Sequence, residues 1–287
     1  FVQNMRPGLT YYELTFNKVN GERKRKFIDA GDPKPLGPVF YFRLAEDPEE
    51  ISIAILDAKG NEIRNYTKDE MMLKSGGDGN INTGLNSFVW DMRINGVTPV
   101  PGRPPTTVVP IVPPGKYAVK LTVDGVEEIQ PFNLRMSPKE PYTQAQAEAK
   151  FAFWMEMYHQ ANARTRKVLE ALAIKKDITS KLEALKADGT DIEAAKAQAG
   201  KITEMVDAYE GVYVSTGRTL AEVINLPATL LFKLSFMSGI LDHSEGPVTR
   251  QMKMEYEKVI EAADKADAEF QEAIASELEK FTQLLNE

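Results

Sequence analysis

The hydrophobic period of this chain changes once, near Pro141, and the change limits what the chain can fold into. Before it, apolar residues alternate with polar ones in short runs. After it, they recur every three or four residues over long stretches. Phe40, Phe42 and Leu44 alternate, as do Ile51, Ile53 and Ile55. Gly84 to Arg93 puts Phe88, Trp90 and Met92 on one face, and Tyr117, Val119, Leu121 and Val123 follow the same rule. A period of two marks strands with one face buried and one wet. Asp57 to Gly60 turns the chain into a return strand, Glu62 to Thr67. Asp124-Gly125 suits a type I′ turn into a last strand, Val126 to Leu134. Residues 35–138 therefore predict an Ig-like antiparallel β-sandwich. Seven prolines between Pro99 and Pro114 predict a stiff, partly extended surface loop inside it.

Residues 1–34 predict an extended hairpin segment around Asn20-Gly21, with a linker beginning at Asp32. The basic run Arg23 to Lys26 is most simply its solvated edge. Residues 139–287 predict an antiparallel four-helix bundle, which makes the whole an α+β multidomain chain. The first helix is capped by Thr143, runs from Gln144 to about Ala187, and carries an inner stripe of Phe151, Trp154, Met155, Tyr158, Thr165, Val168, Leu169 and Leu172. A second, Ile192 to Tyr209, is expected to end at Gly211. The third follows Pro227, with Leu230, Leu231, Leu234, Met237, Ile240 and Leu241 apolar. The fourth starts after Thr249 and runs from Arg250 to Leu285. Its seam is Met252, Tyr256, Val259, Ala263, Ala266, Phe270, Ile274, Leu278, Phe281 and Leu285.

Composition enters as a filter. No apolar run approaches the roughly 18–20 residues that cross a bilayer; the richest, Leu226 to Leu241, is broken by Lys233, Ser235, Ser238 and Gly239. Cysteine is absent, which excludes disulfides, thiolate metal sites and a Cys nucleophile. The net charge of −7 falls entirely on residues 139–287, because residues 1–138 carry equal numbers of acids and bases. An acidic helical half repels phosphate backbones, so nucleic acid is not an expected partner. The chain begins with Phe1 and no signal peptide precedes it, so it is expected to be a processed or truncated part of a longer protein.

Gly84-Leu-Asn-Ser-Phe-Val-Trp-Asp-Met-Arg93, the run Val112 to Gly125 and Gln130-Pro131 resemble the C-terminal region of bacterial exported proteins with a sortilin-like, Asp-box (BNR) β-propeller. The likeness continues through Leu226-Pro227-Ala228 and the helix start Gly246 to Thr249, covering roughly residues 36–287. The strand-rich part is also similar to the Ig-like domain of the flagellar hook-capping protein. Arg93 is followed by Ile-Asn-Gly rather than the family's more usual Tyr-Pro-Gly, and the proline-rich insertion is unusual. The resemblance implies an exported protein with an upstream propeller, often labelled a glycosyl hydrolase. It implies no activity for this region.

Candidate sites are few, and each has a plainer explanation. Trp90 could stack on a sugar, but its phase with Phe88 and Met92 places it in the core. Asp91 and Arg93 predict a surface ion pair. Glu156-x-x-His159 has the spacing of di-iron bundles, yet such a site needs a second copy, and the other histidine, His243, has none. Asp78 to Asn82 spaces oxygen side chains as calcium loops do, but Val89 stands where the closing Glu should be. Glu49/Glu50 and Glu127/Glu128 are adjacent in sequence, which in a strand sends each pair to opposite faces and spoils it for glycoside hydrolysis. No P-loop, Gly-x-Ser-x-Gly or Gly-x-Gly-x-x-Gly occurs. The sequence therefore predicts no catalytic, cofactor or metal residue. It predicts a non-catalytic module that docks to a protein partner or larger assembly. The competing expectation is a substrate-binding appendage of a glycan- or peptide-active enzyme, with Tyr11, Tyr12 and Tyr66 as its exposed rings.

Overall fold

The fold, a computed structural model, describes residues 12–16, 23–27, 37–74, 81–136, 143–187, 193–215, 227–244 and 246–285. It is α+β and divides into two compact units. The strand unit comprises residues 1–95 and 111–148; the helical unit comprises 96–110 and 149–287. The turn residues Asp57 to Gly60 and Asp124-Gly125 fall where the alternation stops.

In the strand unit, β1 (Tyr12–Phe16) pairs antiparallel with β2 (Arg23–Phe27) in a sheet of their own. A second two-stranded sheet joins β3 (Val39–Leu44) to β6 (Gly84–Val89). A four-stranded antiparallel sheet has the order β5 (Glu62–Tyr66), β4 (Ile51–Leu56), β7 (Gly115–Val123), β8 (Val126–Leu134). β4 is central, and Ile51, Ile53, Ala54 and Ile55 are all buried. The β7–β8 hairpin closes at Val123 and Val126 through Asp124 (φ 47°) and Gly125 (φ 83°), the two left-handed residues a type I′ turn requires. A short helix, α1 (Lys68–Lys74), follows β5 and was not foreseen. Its start is a capping box: Thr67 N–H donates to Glu70 Oε2 at 3.0 Å.

Rings from the second and third sheets meet edge-on. Phe40 of β3 lies 5.1 Å from Phe132 of β8, and Phe88 of β6 lies 4.8 Å from Tyr66 of β5. Trp90, fully buried, adds contacts to Tyr117 and Phe132. β6 stops at Val89 rather than reaching Arg93: Trp90 N–H still donates to Pro38 O, but Pro38 has no N–H to return, and Met92 turns left-handed (φ 60°). Gly37 is obligatory beside that turn. A Cβ there would stand 1.8 Å from the Trp90 carbonyl oxygen, and its φ is +139°.

Among the described residues four helices follow: α2 (Gln144–Ala187), α3 (Glu193–Tyr213), α4 (Leu230–His243) and α5 (Arg250–Leu285). Thr143 and Gln146 form a capping box at the start of α2, and Thr249 Oγ1 accepts from Met252 N–H at the start of α5. α3 continues through Gly211, past its expected end. Tyr213 and Val214 are buried beyond it, and burying both outweighs the roughly 1 kcal/mol that a mid-helix glycine costs. α3 and α5 pack closely, and α4 packs on both. α2 reaches the others through longer side chains: Trp154 Nε1–H donates to Ser238 Oγ at 2.7 Å, and Phe153 meets Tyr256 edge-on. Its buried residues are Ala147, Trp154, Met157, Ala161, Arg164, Thr165, Val168, Ala171 and Ile178. The expected Phe151, Met155, Tyr158 and Leu172 are only half-buried.

The proline-rich insertion differs from the expected surface loop. Val97, Val100 and Val108 are buried, and residues 96–110 belong with the helices. Among the described residues no helix is long and apolar enough to cross a membrane.

Candidate functional site

The residues singled out in the sequence do not converge. Trp90 lies in the core, its Nε1–H given to Arg93 O at 3.0 Å. Asp91 is half-buried. Its Oδ1 accepts from Tyr66 OH and from Arg93 N–H, each at 3.2 Å. Tyr66 is fully buried, which removes it as an exposed sugar platform; burial, chiefly, and the neighbouring Asp91 charge push its pKa far up. Tyr12 is in β1, and Tyr11 lies outside the described residues. Glu156 and His159 are exposed on α2, and His159 rests against the Tyr158 ring. His243 places Nδ1 2.8 Å from Gly239 O; a carbonyl only accepts, so Nδ1 carries the proton. Of Asp78 to Asn82, residues 78–80 lie outside the described ones. Glu49 and Glu50 precede β4 rather than lying in a strand, and Glu127 and Glu128 are exposed on β8. Among the described residues no group of three His, Asp or Glu is placed to hold a metal.

The structure instead gathers ionisable groups inside the helical unit, around Asp267 of α5. Its side chain is 5% exposed. Oδ2 accepts from Arg164 Nη1 and from Lys167 Nζ of α2, the latter at 2.5 Å. Oδ1 accepts from Tyr209 OH of α3 at 2.7 Å and from Tyr213 OH. Tyr213 OH also lies 2.9 Å from Ala263 O, so its one proton is shared between two acceptors. Arg164 Nη2 extends the network to Asp264 Oδ1 (2.5 Å) and Gln160 Oε1 (3.1 Å). Burial alone would raise the Asp267 pKa. The hydrogen bonds from Lys167, Tyr213 and Tyr209 and the Arg164 charge outweigh it and hold the carboxyl below the ordinary aspartate value. Burial and the bond to Asp267 push both tyrosines far up, so they stay neutral donors.

That geometry decides what the cluster can do. Each carboxylate oxygen already takes two donors, which uses its acceptor capacity. No side remains for a substrate, and the group is out of solvent. Tyr209 is covered further by Phe270, stacked at 4.1 Å. A buried charge held this way is a registry device rather than a reactive one: it is satisfied only when α2, α3 and α5 meet at these positions.

A second buried carboxylate, Glu210 of α3, takes a two-pronged pair from Arg103, at 2.6 Å from Nε and 2.8 Å from Nη2. Arg103 lies in the proline-rich segment. The Glu210 hydrogen bond and charge hold the guanidinium pKa above its ordinary value.

Outside, α4 carries an apolar stripe that faces away from its own buried side. Phe232, Phe236 and Ile240 are 54%, 63% and 44% exposed. They stand four residues apart, on one helix face roughly 12 Å long. Two further grooves open among the described residues. One, of about 380 Å³, is lined by Glu49, Glu50, Lys68, Thr122 and Asp124, with Lys68 Nζ donating to Pro48 O at 2.6 Å. The other, of about 600 Å³, runs over Ile178, Leu182, Lys186, Lys196 and Thr203.

No family model, curated protein or solved structure matches this chain. Sequence reasoning missed Asp267, Arg164, Arg103 and the α4 stripe. The first two carried a signal, because both fall in phase with their helix's buried positions.

Proposed function

We propose that this chain is a non-catalytic protein-interaction module. It is an Ig-like β-sandwich followed by an antiparallel four-helix bundle, serving docking or assembly. It belongs to the C-terminal part of a larger exported β-propeller protein. The edge-on rings between the sheets support the sandwich reading. The seam-phased burial along α2 and α5 supports the bundle reading. The single observation that carries the function is the exposed Phe232–Phe236–Ile240 stripe, beside buried carboxylates that are already saturated. Aromatic anchors on one helix face suit insertion into an apolar groove of another protein. The acidic balance of residues 139–287 opposes anionic lipid and nucleic acid as the occupant.

Site-specific photo-crosslinking tests this. A benzoylphenylalanine at position 236 should give one discrete protein adduct in cells that make the parent chain, and Phe232→Glu with Ile240→Glu should abolish it. No adduct, or one that survives both changes, refutes the docking face. The parentage has its own test: Ser-x-Asp-x-Gly-x-x-Trp repeats in the sequence upstream of Phe1.

One observation favours the substrate-binding alternative. Tyr41 and Leu85, 70% and 76% exposed, share a face of the β3–β6 sheet. Retardation of the chain in polysaccharide gels, lost on Tyr41→Ala, would establish it.

A further inference from the structure

The chain leaves the strand unit after Asn95, whose N–H donates to Ile63 O and whose Oδ1 accepts from Arg64 Nη1, each at 3.0 Å. It returns at Ile111, bridged to Arg93, and Val112 N–H donates to Met92 O at 2.9 Å. Departure and return are pinned side by side by contacts wholly inside the strand unit. Gly96 to Pro110, between those pins, belongs to the helical unit. There the segment meets three helices. Thr98 N–H donates to Asn162 Oδ1 of α2 at 3.1 Å. Arg103 pairs with Glu210 of α3. Thr107 N–H donates to Ser235 Oγ of α4 at 3.0 Å. Val100 and Val108 are 4% and 0% exposed.

We propose that residues 96–110 are a strap that stabilises the helical unit, and that through it the two units unfold as one. With the strap in place the Glu210 side chain is only 4% exposed, and removing the strap takes away the guanidinium that neutralises it. The pinned ends make the strap effective. They close it into a loop, which lowers the entropy cost of ordering it. When the strand unit unfolds, the pins go and the same contacts weaken. Prolines suit the role, since they stiffen a segment that helices must recognise without a ladder.

The two tryptophans provide one reporter per unit, Trp90 among the strands and Trp154 among the helices. In the full chain labelled with fluorotryptophan, both native fluorine resonances should disappear at the same urea concentration. Replacing Gly96 to Pro110 with a short Gly-Ser linker keeps the pins. The Trp90 transition should then persist, while that of Trp154 moves down by about 1 M urea or more. If that variant does not fold, Arg103→Met decides: a lowered Trp154 midpoint supports the strap, and an unmoved one overturns it. Separate midpoints in the unaltered chain, or a Trp154 midpoint indifferent to the linker replacement, would also overturn it.

Discussion

In the strand unit the largest buried side chains are rings, and their polar atoms go to partners of the same unit at its margin: Trp90 Nε1–H to Arg93 O, Tyr66 OH to the half-buried Asp91 carboxylate. In the helical unit a carboxylate, a guanidinium and two phenols occupy places where a seam ordinarily carries leucine. The first kind of core tolerates exchange of apolar residues of similar size. The second is satisfied in one alignment only. The difference follows from geometry. Hairpin turns and cross-strand pairing already set strand register, whereas helices with three-four seams can slide by a turn unless something buried forbids it.

The harshest way to break this contrast is Asp267→Ala, which leaves Arg164, Lys167, Tyr209 and Tyr213 with no shared acceptor. A loss of about 3–5 kcal/mol is expected in urea unfolding. The sharper version is the double change Arg164→Met with Asp267→Leu, which should recover most of that loss while weakening the uniqueness of the helical unit's amide NMR spectrum. In the strand unit the matching prediction is Gly37→Ala. Strain at a positive φ and the clash with the Trp90 carbonyl should cost at least about 1–3 kcal/mol, seen as a lowered midpoint of Trp90 fluorescence.

Acid probes the buried carboxylate as well. Folded Asp267 holds its proton less tightly than an unfolded aspartate, so its contribution is complete above the ordinary value of 3.8 and is lost as pH falls through the lower folded value. Stability measured from pH 5 downward should therefore fall less steeply in Asp267→Asn than in the unaltered chain. A smaller effect, about 1 kcal/mol, is expected for Thr143→Ala, which removes the side-chain acceptor at the start of α2.

How far the sequence reveals these features depends on whether the signal is local. The β7–β8 hairpin is legible because Asp124-Gly125 demands two left-handed residues. The α5 seam is legible over its length, and its one error is informative. Ala266 was assigned to the seam, but Asp267 keeps the phase from Ala263 to Phe270 and Ile274, and it is Asp267 that is buried. Arg164 likewise keeps phase with Trp154, Met157, Ala161, Val168 and Ala171. A charged residue on the beat of an apolar seam is the signal, and it is overlooked when acids are assigned to water by default. The strap carries no such signal. Its prolines say what its backbone cannot do, and nothing in the spacing of Val97, Val100 and Val108 names three helices as their partners. The outward Phe232 and Phe236 are hidden in sequence by the leucines around them, since α4 is apolar nearly all round.

In the function proposed above, the helical unit keeps Asp267 and Arg164 inside for register and Phe232 and Phe236 outside for a partner. The most direct test is the double variant Phe232→Glu with Phe236→Glu, read for stability and for the crosslinked adduct in the same preparation. The account predicts a change in unfolding free energy within about 0.5 kcal/mol, as for ordinary surface positions, and complete loss of the adduct. A variant that unfolds, or one that still binds, would contradict it.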